Sequence, residues 1–306
     1  MTGGLVGQRG LPEFVAGEAA RDISRETDAC DRILRTLLAR LGAWAEHLVL
    51  VGGLTPRYLV PEPPPGVDPH IGTTDVDLVL TLALPAGHAA PERPLAAVLR
   101  EIGFEPRPEP EAPHGPAFRW AHQVDGLQVK VEFMCPAQDR PRLQIEPDPV
   151  PNTGRELGAL RLIGAELVAE DFAVRRLSGR DLSGTPVEVQ LRVAQILPFL
   201  VLKAYALDER QKDKDAYDVV WLLSALGDDP ADVARMALAS PVVGYPSVTA
   251  AISRLRAHFS MVDSRGPELY AQAFPVSDSA KRRVLQQYAF QTVKRFLKTW
   301  DQARSQ

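Results

Sequence analysis

The stretch TTDVDLVLTL, residues 73–82, constrains the fold more than any other part of the chain. Its short apolar run reads as a buried β-strand, and its two aspartates interrupt that run at alternate positions. Side chains alternate across a strand with period two, so Asp75 and Asp77 share one face with Val79. Carboxylates that close repel one another, and burying them beside apolar residues is costly unless a cation compensates. The alternative is a solvated strand face. A second oily strand, HLVLVGG, ends in Gly52-Gly53. Glycine lets backbone approach a ligand closely, and a strand-to-helix turn built this way suits a phosphate. A plain tight turn is the other reading. The following LTPRYLV predicts a helix with Thr55 as N-cap and Pro56 at its first position.

The rest of the pattern predicts an α+β or α/β organisation: a mixed sheet with flanking helices, then a helical C-terminal domain. Residues 1–20 are Gly-rich and predict a flexible arm. Apolar residues at helical spacing (Ile33, Leu34, Leu37, Leu38, Leu41) predict a helix from Asp22 to about His47. Residues 61–70 form a proline-rich loop, and Leu95 to Ile102 a helix. FRWAHQVDGLQVKVEFM predicts a hairpin turning at Asp125-Gly126. Polar, proline-rich residues 138–155 read as a linking segment, and 160–193 as further short strands. After Ala194 the periodicity is helical throughout. The expected domains are an α/β core over 21–150, strands completing it over 151–193, and a helical domain over 194–306. A cleft between the α/β and helical parts is the natural ligand site.

Charge and cysteine content narrow the function. A net charge of −4 and a pI near 5.9 argue against a generally basic nucleic-acid coat, though not against a local patch. Cys30 and Cys135 give neither a disulfide framework nor a cysteine zinc site, which fits a reducing cytoplasm. No secretory signal is readable at the N-terminus, and no apolar run approaches the roughly 18 residues that span a bilayer.

Four further features bear on chemistry. Hard carboxylate oxygens at alternate strand positions suit Mg2+, which takes one or two carboxylates plus substrate phosphates. Glu132, on a later strand face with Lys130, is a candidate third carboxylate, or half of an ordinary Lys–Glu face. Lys203 sits in the apolar FLVLKAYAL and needs an anionic partner, a triphosphate for example, unless it lies on a polar stripe. In DERQKDKDAYDVV, Asp215 and Asp218 share a helix face, with Arg210, Lys212 and Lys214 forming a basic cluster suited to phosphate; a charged helix start is the simpler reading.

Taken in order, the Gly-Gly turn, the Asp75-x-Asp77 strand and the later acid-bearing strand resemble the DNA polymerase β-like nucleotidyltransferase superfamily. The block Lys203-x-x-Ala206, then Arg210-x-Lys212-x-Lys214-Asp215-x-x-Asp218, is similar to the AbiEii/AbiGii toxins of type IV toxin–antitoxin systems. The resemblance covers roughly residues 30–225. It implies a Mg2+-dependent enzyme with two ions and a nucleoside triphosphate substrate. The implied acceptor is the 3′ end of tRNA, and the implied partner an antitoxin encoded nearby. By position, Gly52 and Gly53 would cradle phosphates, Asp75 and Asp77 would hold metal, and Glu132 would be the third carboxylate. Lys203 would meet the triphosphate, and Asp218 or Asp215 would be the acid of the helical domain. The usual arginine before the aspartate strand is missing from HIGTTD; Arg57 or His70 are the stand-ins. A small-molecule acceptor, as in antibiotic-modifying relatives, and a non-catalytic nucleotide-binding module are the alternatives. If RNA is the acceptor, the last helix offers Lys281, Arg282, Arg283, Lys294, Arg295 and Lys298, which otherwise read as a solvated face.

Overall fold

The computed structural model describes residues 20–81, 91, 93–138, 140–147, 149–150, 152–210 and 212–305, with side chains from residue 25. The expected N-terminal arm, residues 1–20, lies outside them but for the backbone of Ala20. In chain order the elements are α1 (Ala20–Arg40), β1 (Leu48–Val51), α2 (Thr55–Leu59), β2 (Asp75–Leu80), α3 (Leu95–Ile102), β3 (Glu105–Arg107), β4 (Arg119–Val124) and β5 (Leu127–Pro136). There follow β6 (Ile145–Pro147), β7 (Gly158–Leu162), β8 (Phe172–Arg180), β9 (Pro186–Ala194), α4 (Ile196–Glu209), α5 (Asp213–Ala225), α6 (Pro230–Leu238), α7 (Pro246–His258), α8 (Arg265–Gln272) and α9 (Ser279–Arg304). The chain forms two compact units, one of Asp22–Tyr58 with Gly72–Leu202, the other containing Leu59–Ile71 and everything from Lys203 onward.

The first unit is built on one mixed sheet of order β3-β4-β5-β2-β1-β9-β8, with β7 beside β5 and β6 beside β7. β2 runs antiparallel to β1 and parallel to β5, so Val51, Asp77 and Glu132 fall in one row, and Asp75 and Lys130 in the next. Those residues share a face. Val49, Val51, Val79 and Met134 continue it as an apolar layer under Ala165, Val168 and Leu202. On the opposite face Leu48, Leu50, Val76, Leu78, Val129, Val131 and Phe133 are all buried. The acidic pair therefore stands at the start of a strand whose remaining positions are core.

Several expectations change. α1 ends at Arg40, and Gly42 at φ 56° opens a 3-10 helix, Gly42–His47, where one continuous helix was expected. Thr55 does not cap α2. The Gly52–Leu54 turn is itself 3-10 and runs straight into α2, so Thr55 is already helical and fully buried, and its hydroxyl makes no hydrogen bond. Residues 138–155 are not only a link: Ile145–Pro147 pairs with β7 as an edge strand. The β4–β5 turn forms as expected, with Asp125 at φ 50° and Gly126 at φ 82°. Two successive positive φ angles match the right-handed strand twist.

The second unit is helical from Lys203. Tyr217, Tyr270 and Phe274 form its aromatic centre, and α9 buries Leu285, Ala289, Val293, Phe296 and Trp300. Among the described residues no helix is long and apolar enough to cross a membrane. The mixed sheet, flanking helices and helical C-terminal region are the expected fold class.

Candidate active site

Gly52 holds the first part of the site. Its φ is +71°, and a Cβ placed on it would stand 1.8 Å from Asp77 Oδ2 and 2.5 Å from Asp77 Cγ. No side chain fits there, so the Asp77 carboxylate lies against bare backbone at the end of β1. Gly53, next in the turn, is buried. Asp75 is two residues back on the same strand face. Its Oδ1 is buried yet accepts no hydrogen bond, and Lys130 Nζ stands 3.7 Å away, too far for one. Thr73 fixes the approach to the strand: its hydroxyl accepts from the Asp75 amide at 3.2 Å, and its carbonyl accepts from the Cys30 thiol at 3.4 Å. Burial, together with Asp75, Asp31 and Asp77, pushes that thiol up to about 12. An oxygen with no hydrogen-bond donor and only the Lys130 ammonium at 3.7 Å, beside a second carboxylate backed by glycine, fits a hard divalent ion such as Mg2+.

The expected third carboxylate has a different partner. Glu132 lies level with Asp77, but Arg119 Nε donates to it at 2.7 Å. Among the described residues no three His, Cys, Asp or Glu side chains converge as a metal cluster. The hard-ligand set visible here is Asp75 with Asp77. Arg57, offered as a stand-in phosphate ligand, turns to α1: its Nε is 2.9 Å from Asp31 Oδ2, and Tyr58 Oη donates to Asp31 Oδ1 at 2.6 Å.

The second part lies wholly in the helical unit. Lys203 of α4 is only 4% exposed, and its Nζ is 2.8 Å from Asp215 Oδ1 and 2.6 Å from Asp218 Oδ2. It is neither on a polar stripe nor open to solvent. Arg210 grips Asp215 bidentately, with Nε to Oδ2 at 2.8 Å and Nη2 to Oδ1 at 2.9 Å. Lys214 Nζ reaches Asp218 Oδ1 at 2.9 Å, and His70 Nε2 reaches the same oxygen at 2.8 Å. Lys212 is exposed at the start of α5, its carbonyl accepting from the Asp215 amide. Burial would raise both carboxyl pKa values; the Lys203 ammonium, with Arg210 on Asp215 and Lys214 and His70 on Asp218, holds them below the ordinary carboxylate value, Asp218 well below. Burial lowers the His70 pKa against the pull of Asp218.

Two more bonds anchor the loop that carries His70. The Tyr217 hydroxyl accepts from the Ile71 amide at 3.2 Å, and Trp221 Nε1 donates to the Asp68 carbonyl at 2.9 Å. Residues 68–71 are thus stapled along one face of α5, ahead of Gly72 and β2. Sequence reasoning offered His70 only as a substitute for arginine and missed this role. The one available signal was a histidine closing a proline-rich loop just before the aspartate strand. Arg119 was missed as well; its place opposite Glu132 follows from the β4–β5 register.

The two parts therefore assemble as separate clusters, each inside its own unit. Gly52, Asp75, Asp77 and Glu132 sit on the sheet, and Lys203, Arg210, Lys214, Asp215 and Asp218 between α4 and α5. No curated protein and no solved structure matches the chain. A family model described as Nucleotidyltransferase matches residues 30–227, a span that takes in both clusters. That match covers more than half of the chain, which therefore belongs to the nucleotidyltransferase family, as a transferase with a nucleotide for substrate.

Proposed function

We propose that the chain is a Mg2+-dependent nucleotidyltransferase of the AbiEii toxin type, which moves a nucleotidyl group from a nucleoside triphosphate to the 3′ hydroxyl of tRNA and so blocks translation. The observation that carries the catalytic half is the Asp77 carboxylate packed on Gly52, with the buried, unsatisfied Asp75 Oδ1 beside it. The choice of acceptor rests on the resemblance of the Lys203 to Asp218 block, and with it comes a cognate antitoxin as a partner.

In this reading Asp75 and Asp77 hold the metal, which when bound neutralises phosphate charge and acidifies the attacking hydroxyl. The Gly52-Gly53 turn lets the triphosphate approach backbone without meeting a side chain. The acceptor hydroxyl gives its proton to solvent as its oxygen bonds to the α-phosphorus, the bond from that phosphorus to the bridging oxygen breaks, and pyrophosphate leaves. Lys203, implied by the resemblance to meet the triphosphate, instead fixes Asp215 and Asp218. The more exposed Arg210, Lys212 and Lys214 supply positive charge toward an anionic substrate.

The test is incubation of the purified chain with Mg2+, total bacterial tRNA and each α-phosphate-radiolabelled nucleoside triphosphate in turn, beside Asp75→Ala. Label on tRNA with the wild type alone is the expected result, and it names the nucleotide. Label on an aminoglycoside panel and none on tRNA replaces the acceptor. Label on no acceptor with any nucleotide, although nucleotide binds, refutes turnover and leaves a binding module.

A further inference from the structure

The exposed side of α9 carries cations and no carboxylate over most of its length. From Ser279 to Trp300 the helix has no carboxylate, and Asp301 is the first. Its buried seam, Leu285, Ala289, Thr292, Val293, Phe296 and Trp300, packs against the other helices of its unit. At 100° per residue, Arg283, Gln287, Gln291, Lys294 and Lys298 fall within roughly 80° of one another, on the side opposite that seam. All five are exposed. The stripe runs about 22 Å along the helix and presents cationic and amide N–H donors throughout. Arg283, Lys294 and Lys298 make no ion pair with any described carboxylate, whereas neighbouring Arg295 is taken by Asp229. Lys294 instead lies over the Phe290 ring, 5.1 Å from its centroid.

Local stability does not account for the cations at the start of the helix. The first turn of α9 carries Lys281 and Arg282 at the positive end of the helix dipole, where carboxylates are favoured. Asp278 caps the helix through the Lys281 amide at 2.8 Å, so a glutamate at 281 would complete a capping box. Lys281 and Arg282, which lie off the stripe, therefore stand where the isolated helix would prefer the opposite charge. An anionic membrane is a poor fit, because surface-bound helices insert an apolar face and here that face is buried in the fold. A phosphate backbone matches a linear row of cationic and amide donors free of carboxylates.

We propose that this stripe of α9 docks the RNA acceptor by its phosphate backbone. The proposal rests on the tRNA reading above, and it is tested by binding alone, without turnover. Fluorescently labelled bulk tRNA is titrated with the full-length chain across a salt series. With three phosphate contacts, one for each cation of the stripe, affinity should fall about 20- to 40-fold between 50 and 200 mM salt. The triple variant Arg283→Glu, Lys294→Glu, Lys298→Glu should weaken binding at least tenfold and flatten the log–log salt slope by about 2 to 3. Lys281→Glu, which lies off the stripe, should keep the wild-type salt slope, so that a loss confined to the triple variant is one a general change of helix charge cannot give. Unchanged affinity and slope in the triple variant would overturn the proposal. So would equal binding of poly-glutamate, which would make the stripe a surface for an acidic protein. If a small molecule proves to be the acceptor while the α9 variants still lose RNA, the acceptor reading fails and the docking surface stands.

Discussion

Replacing Gly52 with alanine tests the close approach at the heart of the site. Two costs can be worked from the geometry. A non-glycine residue at φ +71° loses about 1–2 kcal/mol. The new Cβ, 1.8 Å from Asp77 Oδ2, must also drive the carboxylate off its rotamer, adding about 0.5–1.5 kcal/mol. Together about 2–3 kcal/mol should appear as a melting shift of roughly 5–10 °C for the sheet unit. Gly42→Ala separates the two terms. Gly42 has φ +56° but nothing within 4 Å of its Cβ position, so it bears the backbone cost alone. The expected result is a smaller shift and full nucleotidyl transfer for Gly42→Ala, against loss of transfer by at least a hundredfold for Gly52→Ala. Thermal melts and radiolabel transfer on both variants decide it. Wild-type transfer by Gly52→Ala would refute the inference that Asp77 must lie against bare backbone.

Three further outcomes follow from the same geometry. Added Mg2+ should raise the melting temperature of the wild type, and Asp75→Asn or Asp77→Asn should abolish that rise while melting no lower without metal, since each removes one of two adjacent like charges. Lys203→Met leaves Asp215 and Asp218 buried without their shared cation and should cost about 3–5 kcal/mol by urea denaturation of the helical unit, with partial recovery on adding Asp218→Asn. His70 has a folded pKa below its ordinary 6.5, so the unfolded chain takes up a proton that the buried ring refuses. Stability should therefore fall as pH drops below about 6.5, and His70→Gln should flatten that decline. Lys203, Lys214 and Asp218 all face this ring, and the Asp218 contribution, lying well below the carboxylate range, is lost only at much lower pH.

The parts of the site that could be read from the sequence are those whose cause is local. Period-two alternation alone places Asp75, Asp77 and Val79 on one face, and Asp125-Gly126 specifies its own turn. What could not be read depends on partners distant in the chain. Glu132 was read as a candidate third carboxylate without its partner, although the Asp125-Gly126 turn sets the register that places Arg119 opposite it across the β4–β5 ladder. Lys203 asked for an anion, and its own Asp215 and Asp218 answer it once α4 and α5 pack. The end of α1 was overrun because apolar spacing continues to Leu41 and Trp44, while the break comes from Gly42. Ile145–Pro147 was hidden because a three-residue edge strand in a proline-rich stretch carries no period.

The bond between His70 and Asp218 also sets a timetable for biosynthesis. Its partners are 148 residues apart. At about 5–20 residues per second, a ribosome delivers Asp218 roughly 7–30 s after His70. Through that interval the segment 59–71 has emerged without the helix it will lie on, although β1, β2 and β5 are already available to pair. A nascent chain can thus display Asp75 and Asp77 on a formed sheet while the loop just before them still waits for α5. Ribosomes stalled between β9 and α5 should yield chains in which residues 60–71 are cut by protease and the sheet is spared.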